Sequence, residues 1–320
     1  MRIAEISSTG TCGIAVYADR LTGLLREAGH DILRLDVRAE MKQLVREVLE
    51  WAPDVVHLHF EPSFLGSVGR FAILLDKLQG FRRAVTLHYA DEACWGLLQS
   101  RCEIGIAHKP METPGGRQEV LHMPCPMYEP GDHEPGVPPL AVTFGFLSTW
   151  KKQAAVLEAM VPRIKQGVYR VLMLCASHGS MGSDSAHVAG EVRTIIEDRG
   201  LGDSAQLVTD FLDEADLLAR MAAADLGFLF APQDTCSGSA AAREFIAAGL
   251  PFVVSESTHF WGLESAVRSN QTVGDFAETV AHLADSPLWR SRVRARVLAE
   301  YARTNWRVAT QRHLELFDGP

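Results

Sequence analysis

Two doubly wound α/β domains, each built on a parallel sheet, are the fold this sequence predicts, and three observations predict it. Short runs rich in Val, Ile, Leu and Phe alternate with amphipathic stretches of helical length, the pattern of a parallel sheet covered by helices. A length of 320 residues, at roughly 150 per domain, points to two domains. A segment rich in proline and glycine, Pro124 to Pro139, separates two sets of strands. Proline locks φ and glycine loosens it, so this stretch extends neither a helix nor a central strand. Before it, strands are expected at Ile3–Ser7, Ile32–Val37, Val55–Phe60, Ala84–His88, Ile104–His108 and Val120–Met123. After it, they are expected at Val142–Leu147, Arg170–Ala176, Gln206–Phe211, Leu226–Phe230 and Phe252–Ser255. The resulting division is a first domain at 1–125, a linker at 126–139, a second domain at 140–300 and a terminal segment at 301–320.

Composition narrows the functional classes. Apolar residues at 47% and charged residues at 22% are globular values that exclude disordered, collagenous and coiled-coil chains. The net charge of −9, from 31 basic and 40 acidic residues, gives no global attraction for nucleic acid. No apolar run approaches the ~18 residues of a membrane span, and Glu5 interrupts the run a signal peptide needs. Cysteines 12, 94, 102, 125, 175 and 236 form no C-x-x-C pair and no zinc-like spacing. A reduced, cytoplasmic protein is expected.

In open α/β sheets, ligands bind beyond the carboxyl ends of the strands. The chemically loaded residues all fall on that edge. Thr9-Gly-Thr-Cys-Gly13 follows the first strand and His88 ends the fourth. Lys151 lies beyond Leu147, His178-Gly179 beyond Ala176, and Cys236-Ser-Gly-Ser239 beyond Phe230. One shared cleft is the simplest expectation.

The most informative segment runs Thr235-Cys-Ser-Gly-Ser-Ala-Ala-Ala-Arg-Glu-Phe-Ile-Ala-Ala-Gly-Leu-Pro-Phe-Val-Val254. Ser237, Gly238 and Ser239 open a helix that Gly249 ends, and Pro251 leads into a strand. Small residues at a helix start expose unpaired N–H groups and the positive end of the dipole, a cradle for a diphosphate. Ser237 and Glu244 lie two turns apart on one face, which places Glu244 ~8–10 Å along the axis from the cradle. A nucleoside diphosphate spans that distance, with the carboxylate accepting both ribose hydroxyls. The bland alternative is a serine N-cap followed by a solvated helical glutamate.

This segment resembles the C-terminal signature of GT-B glycosyltransferases of glycosyltransferase family 4, whose E-x7-E pair precedes a Gly-x-Pro-Val-Val strand. Glu244 matches the second glutamate, and Cys236 stands where the first would be. Phe144-Gly-Phe-Leu-Ser-Thr-Trp-Lys151 is similar to the family's Gly-Arg-Leu-x-x-x-Lys-Gly loop, with Lys151 kept and Phe146 in the arginine's place. Cys12-Gly-Ile-Ala-Val-Tyr17 resembles the N-terminal glycine loop. Asp54–His59 and Val85–His88 resemble family strands, Thr209–Glu214 the base-recognition loop, and Trp306 the tryptophan before a C-terminal helix that returns to the first domain. The likeness covers nearly the whole chain in order.

What the resemblance implies is a GT-B fold, two Rossmann-like domains facing a central cleft, and a retaining, metal-independent hexosyltransferase with a nucleoside-diphosphate sugar as donor. It implies catalytic roles for Lys151, His88 and Glu244. Donor contacts would come from Gly13, Lys151, His178, Gly179, Phe211, Leu212, Cys236, Ser237, Gly238, Ser239 and Glu244. Cys12, His59, His88 and Tyr89 would face the acceptor. Charge that builds on the β-phosphate would be met by Lys151 and the helix N-terminus, and the sequence holds no Asp-x-Asp motif. No cofactor is expected beyond the sugar nucleotide, and the acceptor is open among a glycan, a lipid-linked glycan, a natural product and a polymer. Cys236 and Phe146 motivate a second reading, a catalytically weak sugar-nucleotide-binding scaffold. A sugar-nucleotide 2-epimerase of the same fold ranks third, since its carboxylates are not evident.

Other features have plainer readings. His57 and His59 alternate on a strand and share a face, but with no third ligand evident, buried polar packing is expected rather than a metal. Gly200-Leu-Gly202 lies between a helix and a strand, the reverse of a dinucleotide fingerprint, and reads as a helix stop. A Walker-type Gly-Lys-Ser/Thr is absent. Cys236 at a helix start has a thiolate's environment without an identifiable partner, and reads as a small polar lining residue. Arg290, Arg292, Arg294, Arg296, Arg303, Arg307 and Arg312 make the C-terminal stretch basic. A solvated face is the expectation there, and peripheral membrane contact the alternative.

Overall fold

The computed structural model describes residues 1–10, 12–88, 92–110, 119–129, 131, 133–177, 182–232 and 238–319, apart from the side chains of 63, 182 and 183. The chain forms two compact units, one of Met1–Pro124, Thr235–Gly238 and Trp306–Pro320, the other of Cys125–Asp234 and Ser239–Asn305.

In the first unit, β1 (Arg2–Ser7), β2 (Asp31–Asp36), β3 (Val55–Phe60), β4 (Arg82–Leu87), β5 (Ile104–Ala107) and β6 (Glu119–Val120) make a six-stranded sheet ordered β2-β1-β3-β4-β5-β6. All its pairings are parallel. Strands buried on both faces carry continuous apolar runs, which is why the sequence marks them without alternation. On one face pack α2 (Met41–Trp51), α3 (Val68–Lys77) and α4 (Glu92–Leu98), contributing Leu44, Phe71, Leu75 and Trp95 against Ala4, Val56, Leu58 and Val85. Gly105 makes room there, since a Cβ would overlap the Trp95 indole. On the other face, Tyr17, Leu21 and Leu25 of α1 (Gly13–Glu27) join Trp306, Ala309 and Phe317 of the C-terminal helix, Trp306–Asp318, over Ile3, Val55, Ala84 and Ile106.

The second unit repeats the plan. Its sheet, also parallel throughout, is ordered β12-β11-β10-β7-β8-β9. The strands are β7 (Leu140–Phe144), β8 (Arg170–Leu174), β9 (Ala205–Val208), β10 (Leu226–Leu229), β11 (Phe252–Ser255) and β12 (Val267–Ser269). Around them run α5 (Gln153–Lys165), α6 (Gly182–Asp198), α7 (Glu214–Ala222), α8 (Ala240–Ala247), α9 (Val273–Asp285) and α10 (Pro287–Thr304). The helix Trp306–Asp318 is α11. Helix starts follow local chemistry, for side-chain oxygens satisfy first-turn N–H groups. Ser67 caps α3, Asp213 α7, Ser239 α8, Thr272 α9, and Ser286 with Pro287 opens α10.

Several strand expectations change, among them Gln206–Phe211, which is replaced by Ala205–Val208. The run expected at Val120–Met123 pairs only over Glu119–Val120. Val142–Leu147 is replaced by Leu140–Phe144, because Gly145 turns the chain at φ +131°. A short strand at Val267–Ser269, with no periodic signal of its own, completes the second sheet by pairing with β11. The Pro/Gly-rich stretch is fastened to the second unit. Cys125 N–H donates to Thr304 O at 2.8 Å and Tyr128 N–H to the Tyr301 hydroxyl at 3.1 Å. Asp225 accepts from His133 Nε2 at 3.0 Å, Gly136 N at 3.1 Å and Leu140 N at 2.7 Å.

Candidate functional site

Each sheet reverses its strand order once, between β1 and β3 in the first unit and between β7 and β10 in the second. Such switch points, at the carboxyl ends of the strands, are where open α/β sheets bind ligands.

At the second switch point, β7 leads through Gly145 to Lys151, and the chain leaving β10 leads to α8. Lys151 Nζ donates to Phe146 O at 3.3 Å and lies 5.5 Å from the centre of the Trp150 ring. Gln153 braces the loop, donating to Phe146 O at 3.1 Å and accepting from Ser148 N–H at 3.0 Å. Asp184 holds the same loop, accepting from Ser148 Oγ at 3.0 Å and Thr149 N–H at 3.2 Å. The Thr149 N–H keeps the Asp184 carboxyl below its ordinary range, with Ser148 adding to the effect. Lys151 and Gln153 line a narrow pocket with Phe144 and Phe230, at the ends of β7 and β10. On the other side, Ser239 Oγ accepts from Ala242 N–H at 3.3 Å and α8 begins at Ala240.

The helix start expected at Ser237–Ser239 is therefore placed at Ser239. Glu244 is 9% exposed rather than solvated, because α8 is buried along most of its length. Behind it, Arg243 and Glu300 form an ion pair of 2.7 Å with side chains 4% and 3% exposed, and Glu300 also accepts from Ser265 N–H at 2.9 Å. Phe146 stacks near Phe211, with centroids 6.5 Å apart and planes at 23°. Phe211 is 68% exposed and Leu212 half-buried.

The first switch point holds a different arrangement. Register sets Glu5 opposite His57 and His59 opposite Thr86, all on the face covered by α1 and α11. Glu5, His57 and His59 have no exposure. Glu5 Oε1 lies 2.9 Å from His57 Nδ1, and Oε2 lies 2.9 Å from His59 Nε2. His57 Nε2 lies 2.7 Å from Thr86 Oγ1, and His59 Nδ1 lies 2.9 Å from His88 Nε2. Tyr17 packs its ring edge-on against His59 and His88, with centroids 5.6 and 4.9 Å away. Burial would raise the Glu5 pKa, but the hydrogen bonds and positive potential of His57 and His59 outweigh it and hold the carboxyl far below its ordinary range. Burial depresses His59 to about 4 and His313 to about 3, with His57 adding to both, and pushes His88 well below its usual range, with His59 and His108 adding. Burial also raises the Tyr17 hydroxyl.

Among the described residues, Glu5, His57 and His59 are the group whose ligand atoms lie close enough to hold a metal, within 4.8 Å of one another. The expectation that the two histidines lack a third ligand is thus corrected, since Glu5 stands between them. The same atoms are joined to one another by hydrogen bonds.

The structure groups Lys151, Ser239 and Glu244 around the second switch point and His59 and His88 at the first. Cys12 caps α1 with its sulfur, 3.4 Å from Ala15 N, and Gly13 is the first helical residue. Gly238 belongs to the first unit, where a Cβ would lie 3.6 Å from His108 and Met123. Tyr89, His178, Gly179, Cys236 and Ser237 lie outside the described residues. Of the basic C-terminal stretch, Arg290 departs from a solvated face. It is buried and donates to Leu283 O and Ala284 O, closing the end of α9. Sequence reasoning missed Glu5, Thr86, Gln153 and Asp184 as members of these sites. For Glu5 a signal existed, a charge inside an otherwise apolar strand.

No family model matches the chain, and no curated protein matches it. Solved structures do. A glycosyltransferase from Rickettsia africae superposes with a TM-score of 0.75 at 12% identity, covering 99% of this chain and 97% of that one. Sucrose-phosphate synthase from Thermosynechococcus elongatus gives 0.73 at 14% identity, over 99% and 98%. HepE of Anabaena, in complex with UDP and glucose, gives 0.73 at 14% identity, over 100% of both chains. The fold is the two-sheet GT-B fold that these proteins share.

Proposed function

We propose that this protein is a retaining, metal-independent glycosyltransferase that moves a hexose from a nucleoside-diphosphate sugar to an acceptor hydroxyl. The observation that carries the reading is the second switch point, where Lys151 follows β7 and a serine-capped helix carrying the buried Glu244 follows β10. Fold likeness to HepE, a protein solved with UDP and glucose, supports a sugar nucleotide as the ligand.

As the glycosidic bond breaks, negative charge grows on the departing β-phosphate. The Lys151 ammonium and the N–H groups opening α8 would stabilise that charge, already in place before reaction. Glu244, one turn into α8, would accept the ribose hydroxyls. Loop residues near Phe211 would face the base, and the Phe146–Phe211 pair gives that side an aromatic surface where the family resemblance places a cation. In the first unit, His88 would meet a hydroxyl of the donor sugar or acceptor. The acceptor would attack from the face the nucleotide leaves, which preserves the anomeric configuration.

Thermal shift against UDP, GDP, ADP, CDP and TDP and their hexose conjugates, with and without magnesium, tests this reading. Ligand at 100 times its dissociation constant should stabilise the fold by about 2.7 kcal/mol. The expected result is one nucleotide series shifting the melt without magnesium, with the shift lost in Glu244→Ala. If no nucleotide shifts the melt, or if Glu244→Ala leaves the shift intact, this donor site is wrong.

A further inference from the structure

Lys151 belongs to a turn that is held from outside as well as by its own backbone. The chain leaves β7 alongside the end of β8, where Gly145 N–H donates to Leu174 O at 3.2 Å and Leu147 N–H to Ala176 O at 3.0 Å. It then closes a single helical turn, Thr149–Lys151, with Lys151 N–H donating to Ser148 O and Lys152 N–H to Thr149 O, each at 3.1 Å. Lys152 leaves that turn at φ 52°, the left-handed region that a residue with a side chain disfavours. Such a conformation persists where its surroundings over-determine it.

The surroundings here converge on Ser148, which is buried and has both an N–H and a hydroxyl to satisfy. Gln153 Oε1 takes the N–H at 3.0 Å, and Asp184 Oδ2 takes the hydroxyl at 3.0 Å. The same Asp184 oxygen also accepts from Thr149 N–H at 3.2 Å. Asp184 is half-buried in the first turn of α6, where the helix dipole favours a carboxylate. Ser185, next along, donates to Leu147 O at 2.9 Å. Thus α6 grips three consecutive residues, Leu147, Ser148 and Thr149, just ahead of the lysine. Because residues 148–151 are bonded into one turn, fixing Thr149 fixes the root of the Lys151 side chain. Gln153 acts at the other end, since the Phe146 carbonyl that receives its Nε2–H at 3.1 Å also receives the Lys151 ammonium at 3.3 Å.

We propose that Asp184 is a positioning residue that locks the Thr149–Lys151 turn to α6 and so sets where the Lys151 ammonium stands beyond the end of β7. The lock follows from the bonds alone, while the diphosphate that the ammonium would meet rests on the glycosyl-transfer reading. One oxygen carries both bonds to the loop, so the role belongs to an acceptor in the right place rather than to a negative charge.

Amide hydrogen exchange on the full chain tests the lock without any ligand. The amides of Thr149, Lys151 and Lys152 are expected to exchange slowly, and Asp184→Ala should lose that protection at all three while β7 and β8 keep theirs. Retained protection in Asp184→Ala overturns the proposal. Release of UDP from UDP-glucose tests the consequence. Asp184→Ala should lower kcat by about 10–100-fold, and should lower it no further in a Lys151→Ala background. Equal losses in the two backgrounds would mean that Asp184 acts otherwise than through the lysine, which also overturns the proposal. Asp184→Asn keeps an oxygen able to accept both bonds, so it should restore the protection and most of the rate. If it behaves as Asp184→Ala does, positioning by hydrogen bonds is refuted. Should Asp184→Ala fail to fold, Ser148→Ala decides, since it removes one of the two bonds from the loop side. A partial loss of protection supports the lock there, and no loss refutes it. If the exchange pattern is as expected but the wild-type protein releases no UDP, the glycosyl-transfer reading fails and the lock stands.

Discussion

The two sheets reverse at equivalent points, and their occupants differ in kind. Between β1 and β3 the protein has filled the position with its own polar groups, Glu5 joined to His57 and His59 and closed to water. Between β7 and β10 it has placed a glycine turn, a lysine that donates to Phe146 O and a serine-capped helix start, the groups to which our proposal assigns the sugar nucleotide. One topology thus carries a polar cluster joined strand to strand and a turn-and-helix arrangement to which we assign a ligand. What separates them is which partners the side chains find, other strands in the first case and their own loop or helix turn in the second.

The comparison can be broken most severely from behind the second site. Arg243, next to Glu244, is fixed by Glu300, and Glu300→Ala leaves a buried guanidinium uncompensated, at about 3–5 kcal/mol in urea unfolding. A smaller loss would mean that α8 is held by its apolar packing alone. Lys151→Ala comes next, with turnover of the sugar nucleotide falling by about 10²–10³-fold and the melting temperature unchanged. Turnover near wild type would remove the lysine from the proposed donor site.

The first site should be sensitive to acid instead. His59 and His313 titrate at about 4 and 3 in the fold against 6.5 unfolded, so the unfolded chain binds more protons between those values. Their stabilisation is complete above pH 6.5 and is lost as pH falls towards 4, a decline on the order of 3 kcal/mol for His59. Glu5, depressed further, adds a loss below its ordinary 4.5. Melts from pH 7.5 to 4 check this, and a flat profile would show that the array is wetter than its burial implies. The smallest effect is expected at Gly145→Ala. A side chain at φ +131°, with its Cβ 3.0 Å from Lys151 Nζ, should cost about 1–3 kcal/mol and displace the lysine.

Much of this was legible in the sequence because it is local. Apolar runs located most of the strands, the small polar residues at 237–239 marked the start of one helix, and the spacing from Ser237 to Glu244 put the carboxylate on that helix. The first site was not legible, because its bonds join residues 52, 54 and 29 positions apart. They exist only once parallel register sets β1 beside β3 and β3 beside β4. Glu5 was visible as an anomaly, a charge between Ala4 and Ile6, yet nothing local says which partners resolve it. Glu244 misleads in the opposite direction. The bland reading made it a solvated helical glutamate, and only the burial of α8 over Ala242–Ala247 shows that its side chain starts from a buried position.

Proline- and glycine-rich connections are where proteases ordinarily enter a two-unit chain. Here Cys125, Tyr128, His133, Gly136 and Leu140 are each bonded to the body of the second unit, and Gly131 O accepts from Arg294 at 3.3 Å. A peptide must be drawn out as an extended strand to enter a protease, which would break several of these bonds at once. The stretch that looks most cleavable on paper therefore behaves as the leading edge of the second unit. Anyone dissecting the gene to study the two units separately should keep the whole segment from Cys125 with the second unit and α11 with the first.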